Sequence, residues 1–175
     1  MRYNSMKAEH ISLLFVAILA SGCVATTTES VEIIEVIDGD TVDIRYPNGS
    51  EDRVRLIGVD TPETRGQNSP EEFGLSDTSG VRSCLRKYGE NASEYVSRFE
   101  GAEINVLQDN QQRTRGGYGR KLAYIYVGNN SRSLNQVLLE KGLARVYYSE
   151  FAQLNSFMES ERSAKTRDIG IWSCS

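Results

Sequence analysis

Four carboxylates stand at the ends of short apolar runs. Asp38 and Asp40 flank Gly39 after Val31–Ile37, and Asp60 and Glu63 follow Leu56-Ile57-Gly58-Val59. Two arginines accompany them. Arg55 lies within an extended apolar segment, where a charge is costly unless paired. Arg120 follows Gly117-Tyr118-Gly119, where little bulk separates backbone from ligand. Several carboxylates suit a hard cation with oxygen ligands, Ca²⁺ or its competitor Mg²⁺. Arginine grips phosphate through paired N–H groups and stabilises charge developing on it. Two arginines and a cation facing one phosphodiester would make a transition-state clamp. Each feature also has a plainer reading. Asp38-Gly39-Asp40 is by itself a hairpin turn, and surface arginines commonly form weak ion pairs.

One absence narrows the chemistry. The single histidine is His10, near the N-terminus. In the rest of the chain Ser-His-Asp and Cys-His catalysis are excluded, as is His-ligated zinc. An enzyme built here must work with carboxylates, arginines, tyrosines or a metal.

Residues 1–23 have the layout of a secretory signal: Arg2 and Lys7, the apolar run Ile11–Ala20, then small residues. The run is short for a membrane span. Ser21-Gly22-Cys23 resembles a prokaryotic lipobox, in which Cys23 is lipidated and anchors the protein to a membrane. Ordinary signal cleavage and an uncleaved anchor are the alternatives. The expectation is an exported protein, lipid-anchored at the cell surface or secreted, with residues 24–30 as a polar tether and 31–175 as one domain. With Cys23 lipidated, Cys84 and Cys174 remain and could pair in an oxidising compartment; two free thiols are the alternative. Net charge is −4, and loss of Arg2, Lys7 and Glu9 makes it −5. That balance argues mildly against a nucleic-acid partner, so local charge must decide.

The elements that would position these residues follow from periodicity. Val31–Ile37, Thr41–Tyr46 and Arg53–Val59 read as strands of an antiparallel meander, with turns at Asp38-Gly39-Asp40 and Pro47-Asn48-Gly49. Arg65–Ser83 reads as a long surface loop. Leu85, Tyr88, Ala92, Tyr95, Val96 and Phe99 recur at helical spacing, but Gly89 points to a start near Asn91. Ala102–Gln108 and Lys121–Val127 are further strands. Ser133 caps a helix that stops at Gly142, and Ala144–Tyr148 is a short extended piece. A last helix spans about Glu150–Lys165. Five strands and three helices without βαβ alternation predict an α+β fold, a small closed barrel with helices packed on it.

Taken together, the strings VIDGDTV (Val36–Val42), VRLIGVDTPET (Val54–Thr64) and GYGRKLAYIY (Gly117–Tyr126) resemble the staphylococcal nuclease (thermonuclease) family. YGENAS (Tyr88–Ser93) and Leu134–Tyr148 align in the same order. The resemblance covers about Val31–Trp172. It implies a five-stranded OB-fold β-barrel with three packed α-helices, and Ca²⁺-dependent hydrolysis of DNA and RNA that leaves 3′-phosphate ends. By position it implies Asp40, Asp60 and the Thr61 carbonyl as metal ligands, and Asp38 as support for them. Glu63 would orient or deprotonate water, Arg55 and Arg120 would grip the scissile phosphate, and Tyr118 and Tyr148 would bind the nucleotide. A monomer acting on single-stranded or frayed nucleic acid is expected. The sequence departs from the family in a longer loop after Glu63, in Gly117 where a lysine is usual, and in acidic net charge. Arg113, Arg115, Arg120 and Lys121 would make the rim of the site locally positive. A non-catalytic OB module that binds nucleic acid or protein, and a metal-stabilised structural lipoprotein, are the competing readings.

Overall fold

Runs of β-branched residues separated by tight turns build the first strands, as the pattern requires. The computed structural model describes residues 29–174. The leader, Cys23 and residues 24–28 lie outside them. The strands β1 (Glu29–Asp38), β2 (Thr41–Arg45) and β3 (Glu51–Leu56) form the expected antiparallel meander. Glu29 and Ser30 belong to β1 rather than to a tether, because they pair with Val106 and Asn105 of β5 (Glu103–Leu107). The fifth barrel strand is β6 (Lys121–Val127), antiparallel to β5 and parallel to β3. The order β1-β2-β3-β6-β5 closes on itself. Ile33, Val42, Ile44, Val54, Leu56 and Ile125 fill the interior.

The segment 53–59 is not one strand. It breaks at Ile57-Gly58, and Val59–Asp60 forms a separate short strand, β4, antiparallel to β7 (Arg145–Val146). Gly58 makes the break possible. Its φ is +74°, and a Cβ there would lie 2.4 Å from the Phe151 ring. The turn is stapled from below by the buried Asn135, whose amide donates to the carbonyls of Ile57 and Ala123 while its oxygen accepts from Ile125 N.

Three helices pack on the barrel: α1 (Ser79–Ser97), α2 (Leu134–Glu140) and α3 (Leu154–Thr166). The Ser133 cap and the stop at Gly142 are as read from sequence, while α3 starts four residues later than Glu150. The larger correction concerns α1. It begins at Ser79, capped by the Thr78 hydroxyl, and runs straight through Gly89. The expected loop therefore ends at Thr78 and contains a 3-10 turn, Pro70–Phe73. The extra helical turns are stable because a second small core lies under them: Phe73, Val81, Leu85, Ile171 and Trp172. A disulfide between Cys84 and Cys174 (Cα–Cα 5.7 Å) closes that cluster.

Candidate active site

Arg55 sits on β3 opposite Thr41 of β2 and Leu122 of β6. Its two terminal nitrogens donate to Asp40 (2.5 Å) and Asp60 (2.7 Å). The charge that looked costly inside an apolar strand is paired twice. Asp40 is the buried partner, 1% exposed, and its oxygens also accept from the Thr41 hydroxyl and from Thr61 N. Asp38 accepts from Asp40 N at 3.1 Å and so fixes the turn from which Asp40 projects. Burial pushes the Asp40 carboxyl up, to about 8; Arg55 opposes that shift and Asp38 adds to it. Desolvation acts on Arg55 too, but the carboxylates around it hold its charge firmly.

Asp60 lies between two guanidiniums. Arg145 of β7 forms an ion pair with its other oxygen at 2.8 Å and donates to Glu72 at 3.1 Å, with its guanidinium over the Phe73 ring. The position of β7 is set from α3, where the buried Glu161 accepts from Val146 N. Beyond Asp60 the chain turns through Thr61 and Pro62, both buried, and brings Glu63 to the surface. The Asn68 amide grips the Glu63 backbone on both sides, accepting from its N–H (2.7 Å) and donating to its carbonyl (3.0 Å).

Arg55, Asp60, Glu63, Tyr118, Arg120 and Tyr147 line one cleft of about 480 Å³. Arg120 enters it from the start of β6. Among the described residues it makes no ion pair, only a bond to the Gly117 carbonyl and a contact with the Tyr118 ring. Tyr118 is fully exposed and held at φ +61°, a conformation uncommon for a tyrosine. The exposed large apolar side chains among the described residues are Tyr118, Tyr147 and Tyr148. Tyr147, which the sequence reading passed over, lines the cleft; Tyr148 does not.

Among the described residues no three of His, Cys, Asp and Glu gather into a metal-binding cluster. The carboxylates expected to meet at the strand ends are kept apart by Arg55, which occupies the space between Asp40 and Asp60. What remains is an oxygen-only set: two carboxylates converging on adjacent nitrogens of one guanidinium, with Thr61 against one of them. Both described cysteines are in the disulfide, so no thiolate competes. This donor set fits a hard cation. A carboxylate that burial drives toward neutrality, despite Arg55, is one that added positive charge would keep ionised.

Sequence reasoning missed Arg145, Asn68 and Arg86, the last of which donates from α1 to the carbonyls of Thr64 and Gly66. Arg145 could have been found by the argument that singled out Arg55, a charge in a short strand. Asn68 and Arg86 carry no local signal, because their partners are backbone atoms of a loop.

The family model described as "Staphylococcal nuclease homologue" matches residues 53–174. An uncharacterized protein of Methanocaldococcus jannaschii is 34% identical over 82% of this chain and 72% of its own length. The endonuclease YncB of Bacillus subtilis is 36% identical over 82% of this chain, which spans only 62% of that relative. The thermonuclease of Staphylococcus hyicus is 30% identical over 88% of this chain and 82% of its own.

Proposed function

Because the chain belongs to the staphylococcal nuclease family, we propose that it is a Ca²⁺-dependent endonuclease that hydrolyses DNA and RNA and leaves 3′-phosphate ends. The observation that carries this reading is the convergence of Arg55, Asp60, Glu63 and Arg120 on one cleft, with Asp40 buried behind Arg55. Glu63 is exposed at the mouth and takes the proton of the attacking water. Water attacks phosphorus, the bond to O5′ breaks, and the phosphate stays on the 3′ side. Arg120, with no carboxylate partner among the described residues, is available to the phosphoryl oxygens, and Arg55 faces them from the barrel wall. Asp40, Asp60 and the Thr61 carbonyl would hold Ca²⁺ once Arg55 moves out from between the two carboxylates, and the ion would supply positive charge and make a nearby water more acidic.

Exposed Tyr118, Tyr147 and Tyr148 offer ring faces to unstacked bases, which favours single-stranded or frayed substrate and needs no particular sequence. The disulfide supports an oxidising compartment. The reading therefore includes export, with Cys23 as the lipidation site of an anchored form, and a monomer as the working unit.

The test is a cleavage assay on single-stranded DNA and on RNA, with Ca²⁺ and with excess chelator, followed by end-group analysis. Cleavage only with Ca²⁺, and 3′-phosphate ends, are expected. Equal activity in chelator would remove the metal from the reading. Binding without cleavage would favour a non-catalytic OB module.

A further inference from the structure

The segment that presents Glu63 is held at every step. The Asn68 amide closes on the Glu63 backbone (2.7 and 3.0 Å). One residue earlier, the Pro62 carbonyl lies against α1 so closely that a Cβ on Gly89 would stand 2.3 Å from its oxygen. One and three residues later, the carbonyls of Thr64 and Gly66 accept from the two terminal nitrogens of Arg86 (2.6 and 2.9 Å), one turn before Gly89 on the same helix. Arg86 makes no ion pair among the described residues; its bonds go to these two carbonyls. Two residues before it, Cys84 fixes that part of the helix to Cys174.

We infer that Arg86 is a positioning residue for Glu63, acting through the backbone of residues 64–66 with Asn68 as its counterpart. This rests on the reading of Glu63 as general base. The planar guanidinium suits the task. It has several N–H groups in a fixed fork, so it holds two carbonyls at a set separation, which an ammonium on a flexible stem does not. Exposed loops of this kind are otherwise mobile. A carboxylate that must meet a water within hydrogen-bond reach loses rate steeply when its support shifts by an ångström, by about 10²-fold. Arg86 does not line the cleft, so its effect should fall on turnover and spare binding.

The test uses the full chain with Arg86→Gln, Arg86→Lys, Glu63→Gln and the Arg86→Gln/Glu63→Gln double variant. Measured quantities are kcat and KM on single-stranded DNA, Ca²⁺ half-saturation, Tm, and amide hydrogen exchange at residues 63–66. Arg86→Gln should lower kcat about 10- to 100-fold, with KM and Ca²⁺ half-saturation within about twofold. Arg86→Lys should recover only part of that. In the Glu63→Gln background the same change should cost almost nothing, because the group being positioned is already gone. Exchange at Glu63, whose N–H is held by the Asn68 side chain, should quicken in Arg86→Gln. Full kcat in Arg86→Gln, a rise in KM alone, or an equal loss in both backgrounds would overturn the inference. If Glu63→Gln stays fully active, or the wild type cleaves nothing, the reading of Glu63 fails instead. The exchange data then stand alone, and unchanged protection in Arg86→Gln would show that the clamp does not exist.

Discussion

The backbone of Gly89 on α1 packs directly against the carbonyl of Pro62, with no room for even a methyl group between them. In an exposed helix interior, Gly→Ala stabilises by roughly 1 kcal/mol. Here the sign should reverse. A Cβ would sit 2.3 Å from the Pro62 oxygen and 3.0 Å from its carbonyl carbon, both backbone atoms that cannot swing aside. Gly89→Ala should lower unfolding free energy by about 1–3 kcal/mol in urea titration and reduce turnover as well, since residue 63 is displaced. A more stable Gly89→Ala protein would show that the close approach is absent.

The two arginines of the cleft should separate experimentally. Arg55 ties a buried and a half-buried carboxylate together. Arg55→Ala should destabilise by about 1–3 kcal/mol, because it takes hydrogen-bond donors from the buried Asp40 and from Asp60, and should abolish cleavage. Arg120 has no such partner among the described residues, so Arg120→Ala should cut kcat by about 10²-fold while Tm stays within a degree or two. Similar Tm losses for both would contradict the pairing described.

Asp40 gives a pH dependence with a definite sign. Its folded carboxyl is pushed up to about 8 by burial, above the ordinary value of 3.8. Between those values the folded chain holds a proton that the unfolded chain releases, so stability falls as pH rises. The contribution is complete below about pH 4 and lost as the pH passes about 8. Without cation, the stability difference between wild type and Asp40→Asn should shift against wild type from about pH 5 to 8. Saturating Ca²⁺ should flatten the trend. A pH-independent difference in chelator would argue that Asp40 is ionised throughout.

The disulfide spans 90 residues. The chain-entropy model gives a loop of this size about 4–5 kcal/mol, and measured losses are typically about 2–5 kcal/mol. Cys84→Ser with Cys174→Ser should show a loss in that range by urea denaturation. The remaining fold should still form, because the barrel has its own core.

The parts legible in the sequence were those encoded by neighbours in the chain. Asp38-Gly39-Asp40, Arg55 and Gly117-Tyr118-Gly119-Arg120 carry their meaning within a few residues. Alternating Val and Ile gave the strands. Gly89 misled because helix propensity, a local quantity, was set against a packing constraint from Pro62, 27 positions away. The break at Gly58 was hidden for the same reason: the pressure for it comes from Phe151 and Asn135, neither of them a neighbour in sequence. Asn68 and Arg86 bind carbonyls and amides, which every residue has, so no pattern of side chains announces them.

The parallel seam between β3 and β6 joins Val54 to Lys121 and brings Arg55 alongside the strand that follows Arg120. Pairings so distant in the chain are slow to form, because loop closure precedes any reward from contact. A nascent or partly refolded molecule lacking this seam carries Arg55 and Arg120, the two groups proposed to grip the phosphate, on separate pieces. Return of cleavage during refolding should therefore lag behind recovery of helical signal, and the unsealed chain would be harmless to nucleic acid it meets on the way.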